Sequence, residues 1–446
     1  MYDYKDKLIT VDEAVDLIKD DFNIYFGWGF DHPKMFMDNM HKAATKNNVK
    51  RVQCQPAVCP YFCEFMKPDY RENFIINSLY QTPAMRKAAK NGSNFTFIPT
   101  AMTHGWKRSY RNHINLYVTE TSMPDKHGYV SLSFDTMYSP RHVDMADIVI
   151  FEMNPNFPRT LGDAQIHIDR ATYVTEANYP APELPDAPYS EEDLKIAEII
   201  ADDIKDGDCI QVGIGTLPNA ICHGLRHKKH LGIHSELMTS GLYNLLKCGA
   251  ADNSMKNVHK GKSVCCFICG NREMYDYIDD NPSFRIYRGD YVTKNAVASE
   301  IDNFCAINCA LNIDLTGQCQ SETIGLEQIS GTGGQNELTE AAQWSNGGRA
   351  YICMHSTSTI KDPETGEKKV VSNIVPFLEK YAMVSTLRMN TDRVVTEYGM
   401  VDLRGATIKE RVKLLVSIAH PDFREELKQS ALEMGYINDL DLKDFE

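Results

Sequence analysis

The chain has 446 residues, 43% hydrophobic, 10% aromatic and 24% charged, which suits two ordinary domains and is too apolar for disorder. Its formal charge of −14 excludes nucleic acid and anionic membrane as the main partner, since both need broad positive surfaces. Small ligands are expected instead, and with no long apolar run and no apolar core in the charged opening MYDYKDKLITVDEAVDLIKDD, so is a cytoplasmic location without membrane attachment.

In chain order, an apolar-periodic helix runs into LIKDDFNIYFGWGFDHP, which reads as a tight turn, a short buried strand and a Gly-x-Gly loop. The cysteine-rich stretch CQPAVCPYFCEF follows; with 13 scattered cysteines and no secretion signal, reduced thiols are expected. Residues 176–192, EANYPAPELPDAPYSEE, place four prolines among acids, too stiff for a helix and too polar for a central strand. They divide the chain into a domain at 1–178, a linker at 179–192 and a domain at 193–446.

The second half opens as the first does, with DIKDGDCIQVGIGTLPN. An offset of 186 residues lays Ile18, Lys19, Asp20, Ile24, Gly27 and Gly29 on Ile204, Lys205, Asp206, Ile210, Gly213 and Gly215. This internal repeat predicts two related open parallel-sheet α/β domains, with a cleft between them at the carboxyl ends of the strands. Gly213 and Gly215 let backbone approach a ligand, and Pro218 suits a helix start whose free N–H groups attract an anion.

Glu236 follows in LGIHSELMTSG, a helix-like stretch where Ser235 is a possible cap and the acid has a place in the first turn without any function. With an ordinary pKa of about 4.3 it is ionised at neutral pH and able to attack an acyl carbon without a helper base. A dinucleotide site fails because Pro218 stands where the third glycine is needed. KNVHKGKS fails as a P-loop because Lys256 replaces the first glycine. SVCCFICG has Cys266 and Cys269 at CxxC spacing but no second pair, so a buried strand is expected and no metal. SGTGGQNELTEAA places Gly331, Gly333 and Gly334 before a helix, as a tight turn or as a nest for an anion. ATIKERVKLLVSIAHP has a Thr407/Glu410 capping box, apolar Ile408, Val412, Leu415 and Ile418, and Pro421 as a stop.

QVGIGTLPNAI, KKHLGIHSELMTSG, YDYIDDNP, DLTGQCQSETIG, SGTGGQ, VVTEYGMVDLRG and IAHPDFREEL, in that order, resemble blocks of the acetyl-CoA hydrolase/transferase group of class I coenzyme A transferases, particularly its 4-hydroxybutyrate and butyryl-CoA:acetate members. The resemblance runs nearly end to end and implies the class I fold, with the active site between the two domains. It implies that Glu236 is the nucleophile, forming first a mixed anhydride with the acyl group and then a glutamyl-CoA thioester. It further implies that Gln211, Val212, Gly213, Ile214 and Gly215 form a coenzyme A-binding segment, and that the amides of Gly333 and Gly334 meet coenzyme A or the oxyanion. Coenzyme A is then a co-substrate, with no permanently bound cofactor. Acyl-CoA and small carboxylic acids are the partners, and a homodimer or homotetramer is expected.

The reaction so implied moves coenzyme A from butyryl-CoA to a small acid such as acetate; 4-hydroxybutyrate or another short acid, or hydrolysis at the same site, are the alternatives. Glu322 and Glu397 are substitute nucleophiles, and Lys228, Lys229, Lys260 and Lys262 are candidate phosphate contacts or solvated surface lysines. Where relatives read DYVNDP this chain reads DYVTKN, which puts a contact from Thr293 in doubt.

Overall fold

Runs such as Asn23–Phe26 and Cys209–Val212 are apolar, short and buried, which favours central strands over helices. The computed structural model describes residues 3–361 and 365–445 and builds these runs into two sheets. The first sheet has seven strands in the order Phe95–Phe97, Phe74–Ser78, Val52–Gln55, Asn23–Phe26, Leu116–Thr121, Ile148–Met153 and Tyr173–Glu176, all parallel. The second runs Gly232–Ile233, Cys209–Val212, Phe304–Cys309, Arg349–Cys353 and Arg393–Thr396 in parallel, closed by antiparallel Gly399–Asp402. A single bridge from His234 to Val264 extends it to the parallel pair Ser263–Cys265 and Phe284–Ile286.

With that extension the two sheets share one strand order, and Asn23–Phe26 and Cys209–Val212 hold the same central place. The repeat seen in the sequence is therefore a repeat of topology. Even the turn before each central strand matches: Asp21 (φ 61°) and Gly207 (φ 85°) take the same left-handed position. The Thr407/Glu410 capping box starts the helix Ile408–Ser417 as expected, and Pro421 also opens the next helix, Pro421–Glu433.

The largest apolar cluster spans the two halves. Trp28, Phe134 and Tyr138 of the first pack with Phe267, Tyr275 and Ile286 of the second, and the Phe134 and Tyr275 rings lie 4.6 Å apart. The proline-rich stretch from 177 to 190 has no regular structure, yet it is docked. Leu184 N–H donates to Gly270 C=O (2.8 Å), and the Tyr275 hydroxyl donates to Pro182 C=O (2.7 Å). The Tyr179 hydroxyl lies 2.5 Å from Glu120 Oε2 and 2.8 Å from Glu152 Oε1, two buried carboxyls on neighbouring strands of the first sheet. Burial and the Glu152 charge push the Glu120 carboxyl well above its ordinary range. Among the described residues no helix is long and apolar enough to cross a membrane.

Tyr179 thus holds the linker down and offsets a buried acid pair. Tyr179→Phe is expected to cost about 2 kcal/mol or more, since it strips a partner from buried carboxyls. The expected readout is a lower thermal midpoint together with faster proteolysis within 177–190; a variant unchanged in both leaves the linker held by other contacts.

Candidate active site

The strand Cys209–Val212 ends in Gly213-Ile214-Gly215, and the helix Thr216–Gly224 starts there with Gly215 as its N-cap (φ 132°). Beside it the parallel strand Gly232–Ile233 ends in His234, Ser235 and Glu236, so both segments leave the same, carboxyl end of the sheet. Glu236 sits in a bend before the strand Leu237–Thr239, and the next helix begins only at Ser240 with Thr239 as its cap. The helix-like reading of this stretch is therefore wrong: the Ser235 hydroxyl donates to Val212 C=O (3.4 Å) and caps nothing. The Cys266 and Phe267 amides both donate to Glu236 C=O (3.0 and 3.2 Å), which fixes the bend.

The third component is the glycine loop before the helix Gln335–Trp344. A methyl group on Gly334 would stand 2.2 Å from Glu236 Oε2, so only glycine lets this backbone meet the carboxylate. Gly333 has φ 63° and open space around its α-carbon, so its requirement is conformational. Glu322 accepts from Ser385 Oγ (2.9 Å), Gln328 Nε2 (3.1 Å) and Thr332 Oγ1 (3.3 Å) and so braces this loop. The first half grips it as well, through Arg86 Nη1 donating to Ile329 C=O (2.6 Å).

These parts enclose a cleft of about 260 Å³. Gln211, Val212, Gly213, Ile214, Glu236, Gly333 and Gly334 line it, with Val58, Tyr80 and Met102 from the first half. Gly215 stands one residue back, at the helix cap. Of the substitute acids, Glu322 is a loop brace, and Glu397 accepts from Ser356 N–H (2.9 Å) and its hydroxyl, away from the cleft. The four candidate lysines also lie elsewhere. Lys228 and Lys229 precede the strand Gly232–Ile233, and Lys260 and Lys262 precede Ser263–Cys265, at the amino ends of parallel strands and opposite the cleft. Thr293 is buried, with Oγ1 3.0 Å from Thr103 Oγ1, and joins the halves. Lys256, misplaced for a P-loop, is buried and donates to Ile233 C=O (2.8 Å) and Lys262 C=O (2.7 Å), tying neighbouring strands where the ladder is thin. Cys266 and Cys269 are buried thiols in strand surroundings, and burial pushes them up.

Sequence reasoning missed Glu337. In the first turn of Gln335–Trp344, it accepts from Met102 N–H (2.8 Å) and Thr103 N–H (3.3 Å) of the first half. Its charge also acts on Glu236. Burial first, and the Glu337 charge second, raise Glu236 to about 8, against the Gly334 N–H, which lowers it. Both effects disfavour the ionised form that the ordinary glutamate value leads one to expect at neutral pH.

The family model of the acetyl-CoA hydrolase/transferase N-terminal domain matches residues 1–185, and that of the C-terminal domain matches 270–431. The 4-hydroxybutyrate coenzyme A transferase of Clostridium kluyveri is 36% identical over 95% of this chain and 97% of its own length. The chain belongs to the acetyl-CoA hydrolase/transferase family. It is a CoA-transferase by that membership. The succinyl-CoA:cyclohexane-1-carboxylate CoA transferase of Geobacter metallireducens is 34% identical over 98% of this chain and 97% of its own. The crystal structure of RipA from Yersinia pestis superposes with a TM-score of 0.89 at 31% identity, covering 97% of this chain and 99% of that one.

Two outcomes are expected for this CoA-transferase. Gly334→Ala puts a methyl group onto the carboxylate and lowers kcat/KM at least about 100-fold; stability hardly moves, since φ −94° suits alanine. Undiminished turnover sinks the close approach. The fold favours protonated Glu236, so the stability it contributes is complete below its unfolded pKa and fades as pH rises through about 8. Activity runs the opposite way: kcat/KM for an acyl-CoA rises with pH and levels above about 8, and Glu337→Gln moves the break lower. A break that stays in place in that variant means the two carboxyls do not sense each other.

Proposed function

We propose that the protein moves coenzyme A between a short-chain acyl-CoA and a small carboxylate such as acetate, in two half-reactions through a glutamyl-CoA thioester on Glu236. The supporting observation is the position of that carboxylate: at the carboxyl end of a parallel strand, half-buried, and facing glycine amides at a helix start. Ionised Glu236 attacks the thioester carbonyl, and the Gly333–Gly334 backbone is placed to meet the developing oxyanion. The thiolate leaves, giving a mixed anhydride. It then attacks the glutamyl carbonyl, releasing the first acid as a carboxylate and leaving coenzyme A on the enzyme. The acceptor acid runs the same steps in reverse, so the thioester bond energy is retained.

A groove of about 640 Å³ continues the cleft, sharing Ile214, Pro218 and Cys309 with it. It follows the start of the helix Thr216–Gly224 toward the hairpin Thr357–Lys361 and Lys368–Ser372, where Lys361 and Lys368 stand directly opposite each other. We read this like-charged pair, beyond the groove-lining Thr359 and Val370, as suited to the phosphates of coenzyme A, which would offset its repulsion. Val58, Met102 and Phe267 make the other side of the cleft apolar and suit an acyl chain of about butyryl length.

Glu236→Gln is expected to lose at least about 1000-fold in exchange, and intact-mass analysis of the wild type mixed with acyl-CoA to show a covalent CoA adduct absent from the variant. Full exchange by the variant rules out the assignment. Thiol release without an acceptor acid, as fast as with acetate, selects hydrolysis at this site instead.

A further inference from the structure

Six large apolar side chains on one face of the second half lie open to water: Ile324, Leu326, Phe377, Tyr381, Met383 and Met389 are between 51% and 81% exposed. They come from two segments. The short hairpin of Thr323–Ile324 and Glu327–Gln328 carries Leu326 in its tip, where turns ordinarily place glycine or a small polar residue. The connection 376–392, between the strands Ile374–Val375 and Arg393–Thr396, is irregular apart from one bridge from Thr386 to Cys319. It runs along the hairpin, where Met383 N–H donates to Thr323 Oγ1 (3.1 Å), and on to the helix Gln335–Trp344, where Leu387 N–H donates to Asn336 Oδ1 (3.4 Å). The six side chains leave roughly 800 Å² of apolar surface in water, against about 300–600 Å² for the largest patch on a typical monomer. That is about what one partner gives to a stable interface.

The charges on this face suit a second copy of the chain. Exposed Glu379, Lys380 and Arg388 stand among the apolar groups, so the face carries both signs. A two-fold axis sets such a surface against itself, which brings apolar centres together and lets the acid of one copy meet a base of the other. An anionic membrane suits it poorly, because the chain as a whole carries −14.

The same face lies behind the glycine loop. Glu322, just before the hairpin, accepts from Ser385 Oγ of the connection (2.9 Å) and from Thr332 Oγ1 of the glycine loop (3.3 Å). Ser321 and Ser330, on either side of the hairpin, line the cleft with Thr332, Gly333 and Gly334. A hairpin of two residues per strand is weakly held by its own ladder, so what covers its outer side decides how firmly the loop stands.

We propose that this face seats a second copy of the chain, and that the seated copy braces the glycine loop against Glu236, so that full exchange activity belongs to the pair. The sequence resemblance implies more than one copy and names no face. The seat is independent of the chemistry at Glu236; the brace rests on the reading of Gly333–Gly334 as the backbone that meets the reacting group.

The test combines sedimentation velocity over a dilution series with exchange kinetics on the full chain. The wild type is expected to be at least a pair, with a dissociation constant of about 1 µM or below. Phe377→Glu and Met389→Glu each put a charge into the seat twice over, and each should weaken association at least about 100-fold with an unchanged far-ultraviolet circular dichroism spectrum. Leu8→Glu should leave the pair intact, since exposed Leu8 lies beside Val174 at the edge of the first sheet away from Phe95–Phe97. The monomeric variants should lose exchange at least about 10-fold, through kcat more than KM. A wild type that stays single, whether or not it binds phosphatidylcholine vesicles through this face, overturns the seat, and so do pairs that survive in both face variants. Monomeric variants with wild-type exchange overturn the brace. No exchange by the wild type to any acid overturns instead the reading of the glycine loop, while sedimentation still decides the seat.

Discussion

A half-buried carboxylate set against a bare glycine backbone is the constraint on which the rest of this cleft depends. Glu236 reaches that position because its strand ends at the sheet's carboxyl edge and because Gly334 has no side chain to keep the backbone away. Drying it carries a cost, visible in its raised pKa, and Glu337 adds to that cost. Yet Glu337 is also the acid that ties the helix Gln335–Trp344 to Met102 and Thr103 of the first half. One side chain thus ties down the glycine loop and disfavours charge on Glu236.

The repeat explains why the site is one-sided. Gly213 opens onto the cleft with Gly215 just behind it, whereas their counterparts Gly27 and Gly29 are sealed by buried Trp28, Phe30, Asp31 and His32. A methyl group on Gly27 would stand 2.2 Å from Asp31 C=O, so that loop closes on itself. The first half has used its equivalent turn as packing, and Trp28 belongs to the core that joins the halves. The same turn therefore lines the cleft in one half and is packing in the other.

Local patterns carried the fold. The capping box at Thr407 starts the helix Ile408–Ser417, the offset of 186 residues recurs as one strand order in both sheets, and the proline-rich stretch has no regular structure. The site was legible where a motif encodes backbone geometry, as at Gly213 and Gly334. It was not legible where the decisive partner is remote in the chain. The pKa of Glu236 depends on Glu337, and Glu337 reads in sequence as an ordinary first-turn acid. For the lysines near 228 and 260 spacing left two readings open, and parallel pairing, which puts them at the strand ends away from the cleft, favours the solvated-surface one.

The raised pKa of Glu236 bears on the reaction proposed above. A carboxylate that is poorly solvated when ionised is more basic than an exposed one, which in that reaction favours attack on a thioester. Helix starts at Thr216 and Gln335 face the cleft, and their free N–H groups favour negative charge there, whether on the acid, the thiolate or the oxyanion. In the proposed reaction the negative charge passes among these three groups without leaving the cleft, so the same backbone dipoles serve each stage. A carboxylate that attacks directly needs no separate base, which is why two helix starts and a bare glycine suit that reaction.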